Sequence, residues 1–259
     1  TGTGVYVDGS TNSFDGTGGT INSNAVGMYL KNTGVNKITA GTFNIASGGV
    51  GVFGENANID FAVNVSGVEA VGVAAKTNSV ISGNITTTGQ DSVGVYVLDN
   101  SVTFNGANIT TGTKSGLPLK SSIGILLESA LGTYTMSNVT VNAQDGVGIY
   151  LDGTTPGTNL THSGTINTVG GIGIYVDNGT TLTTNTTVLN INGGTGVYVD
   201  GGTANLGTIG SLTFNFLAGG GIGVFNNGGT MNLGANINVT GSGSLAATTN
   251  GSLSSSGTL

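Results

Sequence analysis

The sequence contains no arginine, no cysteine and a single histidine, and its five lysines face twelve acids, for a formal net charge of −7. Without cysteine the chain holds no disulfide and no thiolate metal site. Without a basic patch it would repel a phosphate backbone, which excludes nucleic acid as a partner. It has no run of eighteen apolar residues, no signal-peptide pattern and no basic amphipathic helix, so this segment is expected neither to target itself nor to insert into a membrane. Prolines number two against fifty glycines. That balance would mean disorder in a chain of low hydrophobicity, but here Val and Ile recur at regular intervals and supply a core.

What the sequence does contain is one short pattern, repeated. Gly148-Ile149-Tyr150-Leu151-Asp152 has counterparts that begin at Gly4, Gly27, Gly51, Gly72, Gly94, Gly124, Gly173, Gly196 and Gly223. The glycines lie 21 to 30 residues apart, the period of a solenoid. Within each copy the residues alternate, which is a strand pattern, and the segments between copies are built from Thr, Asn, Ser and Gly, poor helix formers that favour strands and turns. Recurring leucines, which a leucine-rich repeat requires, are missing. The fold expected is all-β: one right-handed parallel β-helix over residues 1–259, with ten to eleven coils of about 24 residues.

In this reading Val147, Ile149 and Leu151 face inward, and so do their counterparts from Thr3, Val5 and Val7 onward. One continuous stack would comprise Val5, Val52, Val73, Val95, Ile125, Ile149, Ile174, Val197 and Val224. Glycine, an aromatic and a charged residue would face outward. The aromatic column reads Tyr6, Tyr29, Phe53, Ala74, Tyr96, Leu126, Tyr150, Tyr175, Tyr198 and Phe225, with the glycines leaving a shallow strip beside it. The charged column reads Asp8, Lys31, Glu55, Lys76, Leu98, Glu128, Asp152, Asp177, Asp200 and Asn227. Its signs alternate as far as Lys76, then four acids follow one another and are expected to reach solvent. Calcium is the cation such a row would attract, but the repeat of calcium-binding β-rolls is missing and one carboxylate per coil is a thin ligand supply, so no metal and no cofactor are expected.

The only histidine, His162, lies among Thr161 and Ser163 and is expected to face solvent on a return segment. No nucleophile and base are tied together by spacing. Polysaccharide lyases need a base and a group such as arginine to hold the uronate, and glycosidases need two carboxylates across a cleft. The lyase reading is therefore weak, and a polysaccharide hydrolase rests on the acidic column alone. A purely structural stalk is the third reading. The largest interruption, residues 113–122, carries Lys114, Pro118 and Lys120 and is a candidate binding loop. The candidate binding face comprises Tyr150, Tyr175, Tyr198, Asp152, Asp177 and Asp200, read as a flat platform of rings bordered by acids.

Tandem units such as Gly146-Val147-Gly148-Ile149-Tyr150 and Gly171-Ile172-Gly173-Ile174-Tyr175, alternating with returns such as Asn108-Ile109-Thr110-Thr111-Gly112, resemble the passenger domains of type V autotransporter adhesins, most of all the large outer-membrane autotransporters of fusobacteria. The resemblance spans nearly the whole chain. It implies a fragment of a longer passenger domain, displayed at the bacterial cell surface and attached through an outer-membrane barrel. The implied partners are a host-cell glycan or protein receptor, or the surface of partner bacteria in a biofilm. No residue here matches a binding site of that family.

Overall fold

Val, Ile, Thr and Asn at alternating positions give extended segments with one apolar side each, and no single coil can bury that side alone. Stacking solves this. The computed structural model describes residues 2–114, 122–127, 132–153, 157–249 and 251–255. It is a parallel β-helix of about ten turns. One eleven-stranded sheet is formed from Thr3–Asp8, Val26–Lys31, Val50–Glu55, Val71–Lys76, Val93–Val97, Ile123–Leu127, Val147–Leu151, Ile172–Asp177, Thr195–Asp200, Ile222–Asn227 and Ser244–Thr249, every neighbour parallel. The return segments form a second sheet of sixteen strands. In the early coils its strands are short and separate, such as Asn58–Ile59 and Val63–Val65. In the later ones they fuse into long bent strands, Gly132–Gln144, Thr158–Val169 and Thr181–Asn192.

The bend in the fused strands falls where the register shifts, between Met136 and Val139 and between His162 and Gly164. Asn138, Gly164 and Thr186 sit there with φ of 55°, 135° and 54°. Asn and Gly enter the left-handed region at low cost, whereas a β-branched Thr does not.

The interior holds one continuous apolar cluster from Val7 to Leu233. Val52, Val73, Val95, Ile125, Ile149, Ile174, Val197 and Val224 are all fully buried, as the inward stack requires, and Val5 packs against them from the first coil. The strands do not alternate all the way along, however. Val26, Val50, Val71, Val93, Ile123, Val147, Ile172, Thr195 and Ile222, expected inside, are only half-buried, and Thr3 is exposed. The glycine that follows each of them is the residue turned toward the core. The register pairs Val147 with Ile172 and Ile149 with Ile174, and passes over the glycine between them.

A Cβ on Gly148 would stand 2.5 Å from the carbonyl oxygen of Gly173 and 2.9 Å from Cγ2 of Ile166, a core residue of the opposite sheet. The same collision recurs at Gly27, Gly51, Gly72, Gly94, Gly124, Gly173 and Gly196, each against the backbone of the next coil. The glycine column is thus a kink that brings backbone close to backbone and lets two successive residues face inward. It is not an outward strip beside the rings.

Candidate functional site

After the kink, the aromatic and charged positions point outward and stack coil on coil, as their registers show: Tyr6 on Tyr29, Tyr29 on Phe53, Tyr150 on Tyr175, Tyr175 on Tyr198 and Tyr198 on Phe225. The rings form two blocks. In the first, Tyr6–Tyr29 and Tyr29–Phe53 lie 5.3 and 5.1 Å apart at 19° and 7°. Ala74, buried, ends that block, and the Lys76 ammonium lies 5.6 Å over the Phe53 ring while pairing with Glu55 at 3.3 Å. In the second, Tyr175–Tyr198 and Tyr198–Phe225 stack at 5.2 Å and 8° and 23°, but Tyr150 meets Tyr175 edge-on at 82°. In the stacked pairs the faces meet each other, so the outer surface receives mainly ring edges and phenol oxygens. Tyr150, Tyr175 and Tyr198 are half-buried, whereas Tyr6, at the end of its row, is 58% exposed.

The phenols and the carboxylates are joined across coils. Tyr29 donates to Glu55 of the following coil, and Tyr175 donates to Asp200 of its following coil at 2.6 Å. The bond to Glu55, helped by burial, pushes Tyr29 up to about 12. Burial and then the bond to Asp200 raise Tyr175 well above the ordinary phenol range. Glu55 is held below the usual carboxylate value by Tyr29, with Lys76 assisting. Both phenols are therefore fixed hydrogen-bond donors.

Of the acids expected to reach free solvent, Asp152, Asp177 and Asp200 are instead half-buried. Asp177 accepts from the backbone N–H of Gly153 at 3.2 Å and of Asn178 at 2.7 Å. Asp200 accepts from Tyr175 and, at 3.0 Å, from the Asn227 amide. Asp177 and Asp200 are neighbours in register, and the donors of adjacent coils offset their repulsion. Among the described residues, no three acids or histidines gather as metal ligands. Of the interrupting segment, Lys114 is exposed, while Pro118 and Lys120 lie outside the described residues, as does Glu128.

His162 is not on the surface. It is fully buried beside its register partners Met136 and Thr184. Thr187 donates its hydroxyl to the His162 carbonyl at 2.8 Å and stands 3.1 Å from Nδ1, so Nδ1 must be the protonated nitrogen. Nε2 finds no partner among the described residues, and burial lowers the imidazole to about 4. His162 shares the inward face of its strand with Leu160, two residues before it, and a local reading of its polar neighbours does not foresee that.

The second sheet carries an array that the sequence reading passed over. Asn142 donates to Asn108 at 3.1 Å, Asn167 to Asn142 at 2.7 Å, Asn190 to Asn167 at 2.6 Å and Asn215 to Asn190 at 2.8 Å; Thr240 then donates to Asn215 at 2.6 Å. A shorter ladder joins Asn205, Asn232 and Ser254. The signal was present: Asn142, Asn167 and Asn190 each stand six residues before Gly148, Gly173 and Gly196. The two sheets thus present different chemistries, rings with acids on one and amides with hydroxyls on the other. Compared with known proteins, the chain matches no protein-family model, no curated protein and no solved structure.

Proposed function

We propose that this chain is a segment of an extracellular adhesin, a rod that extends and displays binding surface toward host cells or partner bacteria. The observation that carries the reading is the unbroken parallel stack with a filled interior, which repeats each outward position once per coil. Such an array suits an extended partner, a glycan chain or a flat protein patch, better than a small metabolite, which needs a concave pocket. The chemistry of the site supports display over turnover. Asp177 and Asp200 are adjacent along a ladder instead of facing each other across a cleft, and the imidazole is buried and neutral. The amino-acid pattern shared with type V passenger domains supports attachment at an outer membrane. No helix among the described residues is long and apolar enough to cross a membrane.

Fluorescently labelled chain, incubated with epithelial cells and separately with bacterial cells, is expected to bind saturably. A Tyr175→Ser, Tyr198→Ser variant that keeps its circular dichroism and melting temperature locates the contact: weaker binding assigns it to the ring and acid face. An absence of binding to any cell surface, together with release of new reducing ends from a polysaccharide, would overturn the reading.

A further inference from the structure

Asparagine is followed by glycine at Asn105, Asn178, Asn192, Asn227 and Asn250. At such a step the next backbone nitrogen can attack the side-chain amide, because glycine puts no Cβ in the way. A fold blocks the attack by tying up the nitrogen, the amide or both. Three of the steps are blocked in this way. The N–H of Gly106 donates to the Ser137 carbonyl at 3.1 Å, and that of Gly193 to the Gly220 carbonyl at 2.8 Å. The Asn192 side chain also accepts from the Gly219 N–H at 2.9 Å, and the half-buried Asn227 donates its amide to Asp200 at 3.0 Å. Asn105, Asn192 and Asn227 are moreover the last residues of their strands, paired in register with Ser137, Val169 and Asp200. Asn250 lies outside the described residues.

Asn178 has none of these restraints. It lies in the turn between Ile172–Asp177 and Thr181–Asn192, which the Thr180 N–H closes on the Asp177 carbonyl at 3.1 Å. Asn178 and Gly179 are both exposed. Among the described residues, no hydrogen bond holds the Asn178 carboxamide or the Gly179 N–H. The bonds that the pair does make use other atoms: the Asn178 N–H donates to the Asp177 carboxylate at 2.7 Å, and the Gly179 carbonyl accepts from Gly157 at 2.9 Å. In the following coil the neighbour of the Asn178 side chain is Gly201, where an added Cβ would stand 3.2 Å from that of Asn178. The glycine leaves the carboxamide room to turn.

We propose that Asn178 is a site of spontaneous modification, converted in the folded chain to aspartate and isoaspartate. The Gly179 nitrogen bonds to Cγ of Asn178, the Cγ–Nδ2 bond breaks, and Nδ2 leaves as ammonia with the proton that Gly179 gives up. The five-membered imide so formed takes up one water. Opening at the side-chain carbonyl gives aspartate, and opening at the main-chain carbonyl gives isoaspartate, in which the chain runs through Cβ and Cγ. Either product sets a new carboxylate beside Asp177, whose register partner is Asp200. Residues 121–259 contain no lysine or arginine to neutralise it. The ring and acid face therefore gains negative charge as the molecule ages, at a rate that the turn permits and the strands elsewhere forbid.

The test is incubation of the intact chain at 37 °C in water enriched in oxygen-18, followed by proteolysis and mass spectrometry of the fragments. Each reaction leaves one heavy oxygen at its site, so the readout is chemical and independent of cell attachment. Asn178 is expected to react at least about tenfold faster than Asn105, Asn192 and Asn227, which must first give up a hydrogen bond and a place in a ladder. Its rate is higher at pH 8 than at pH 6, because the attacking nitrogen has to lose its proton. In urea the four sites react at similar rates, since the restraint lies in the fold and not in the dipeptide. Asn178→Gln changes an exposed side chain that holds nothing; it keeps the melting temperature of the parent and takes up no label at residue 178. Equal rates at the four sites of the folded chain, or label at residue 178 only after unfolding, would each overturn the proposal.

Discussion

A single histidine in a core of Val, Ile and Leu makes the stability of the chain depend on acidity. His162 titrates near 6.5 in the unfolded chain and at about 4 when folded. Between those values the unfolded state takes up a proton that the folded state refuses, so stability falls as pH drops from 6.5 toward 4 and is fully retained above that window. The loss at the lower end amounts to roughly 3 kcal/mol. His162→Leu removes this dependence and leaves the Thr187 hydroxyl its bond to the backbone carbonyl of residue 162. Urea midpoints measured at pH 7 and pH 4.5 are expected to fall further for the parent than for the variant. Parallel curves would mean that His162 is hydrated, contrary to its burial.

At the scale of the strand, the repeat made the fold legible, because ten near-copies of Gly-Ile-Tyr-Leu-Asp impose both the period and the strand register. Strict alternation then misplaced Val147 and Gly148. Period two holds only where each residue turns half a revolution, and the close approach of Gly148 to the Gly173 carbonyl breaks that rule. The partnering of Tyr175 with Asp200 depends on which coil lies above, and that is set by three-dimensional register more than by neighbours in sequence. The asparagine ladder follows the same logic and yields a prediction with a sign. Asn190 donates to Asn167 and accepts from Asn215. Asn190→Asp keeps the acceptor but sets a carboxylate oxygen against the Asn167 carbonyl oxygen. About 1–3 kcal/mol should be lost at neutral pH. Protonation restores a donor, so the folded pKa of the new acid is raised and the loss diminishes as pH falls through it. A variant equally unstable at pH 3 and pH 7, relative to the parent, would show that residue 190 does not donate within the ladder.

For the whole molecule, each coil touches chiefly its two neighbours, so stability is close to a sum over coils and interfaces, and length is adjustable without altering the section. Removal of residues 195–221 joins Gly194 to Ile222 and tests this directly. Ile172 and Ile222 are register partners of Thr195, so the shortened chain brings Ile174 against Val224, Tyr175 against Phe225 and Asp177 against Asn227. On the other sheet Thr181–Asn192 meets the strands Thr230–Leu233 and Ile237–Thr240, which already extend the Thr203 and Leu212 strands in the same register. On the first sheet the inward positions meet the same kinds of residue as before: Ile174 faces Val224, and Val176 faces the buried Asn226 as Val199 does in the parent. The variant is expected to fold cooperatively, with the circular dichroism of the parent and a rod shorter by about one strand spacing, ~4.8 Å, in small-angle scattering. Removal of residues 195–207 instead deletes half a coil and leaves Thr208 and Ile209 to enter the first sheet with no glycine at the kink. That chain is expected not to fold. If the whole-coil deletion unfolds as completely as the half-coil deletion, the coils are not interchangeable units and the rod is one indivisible core.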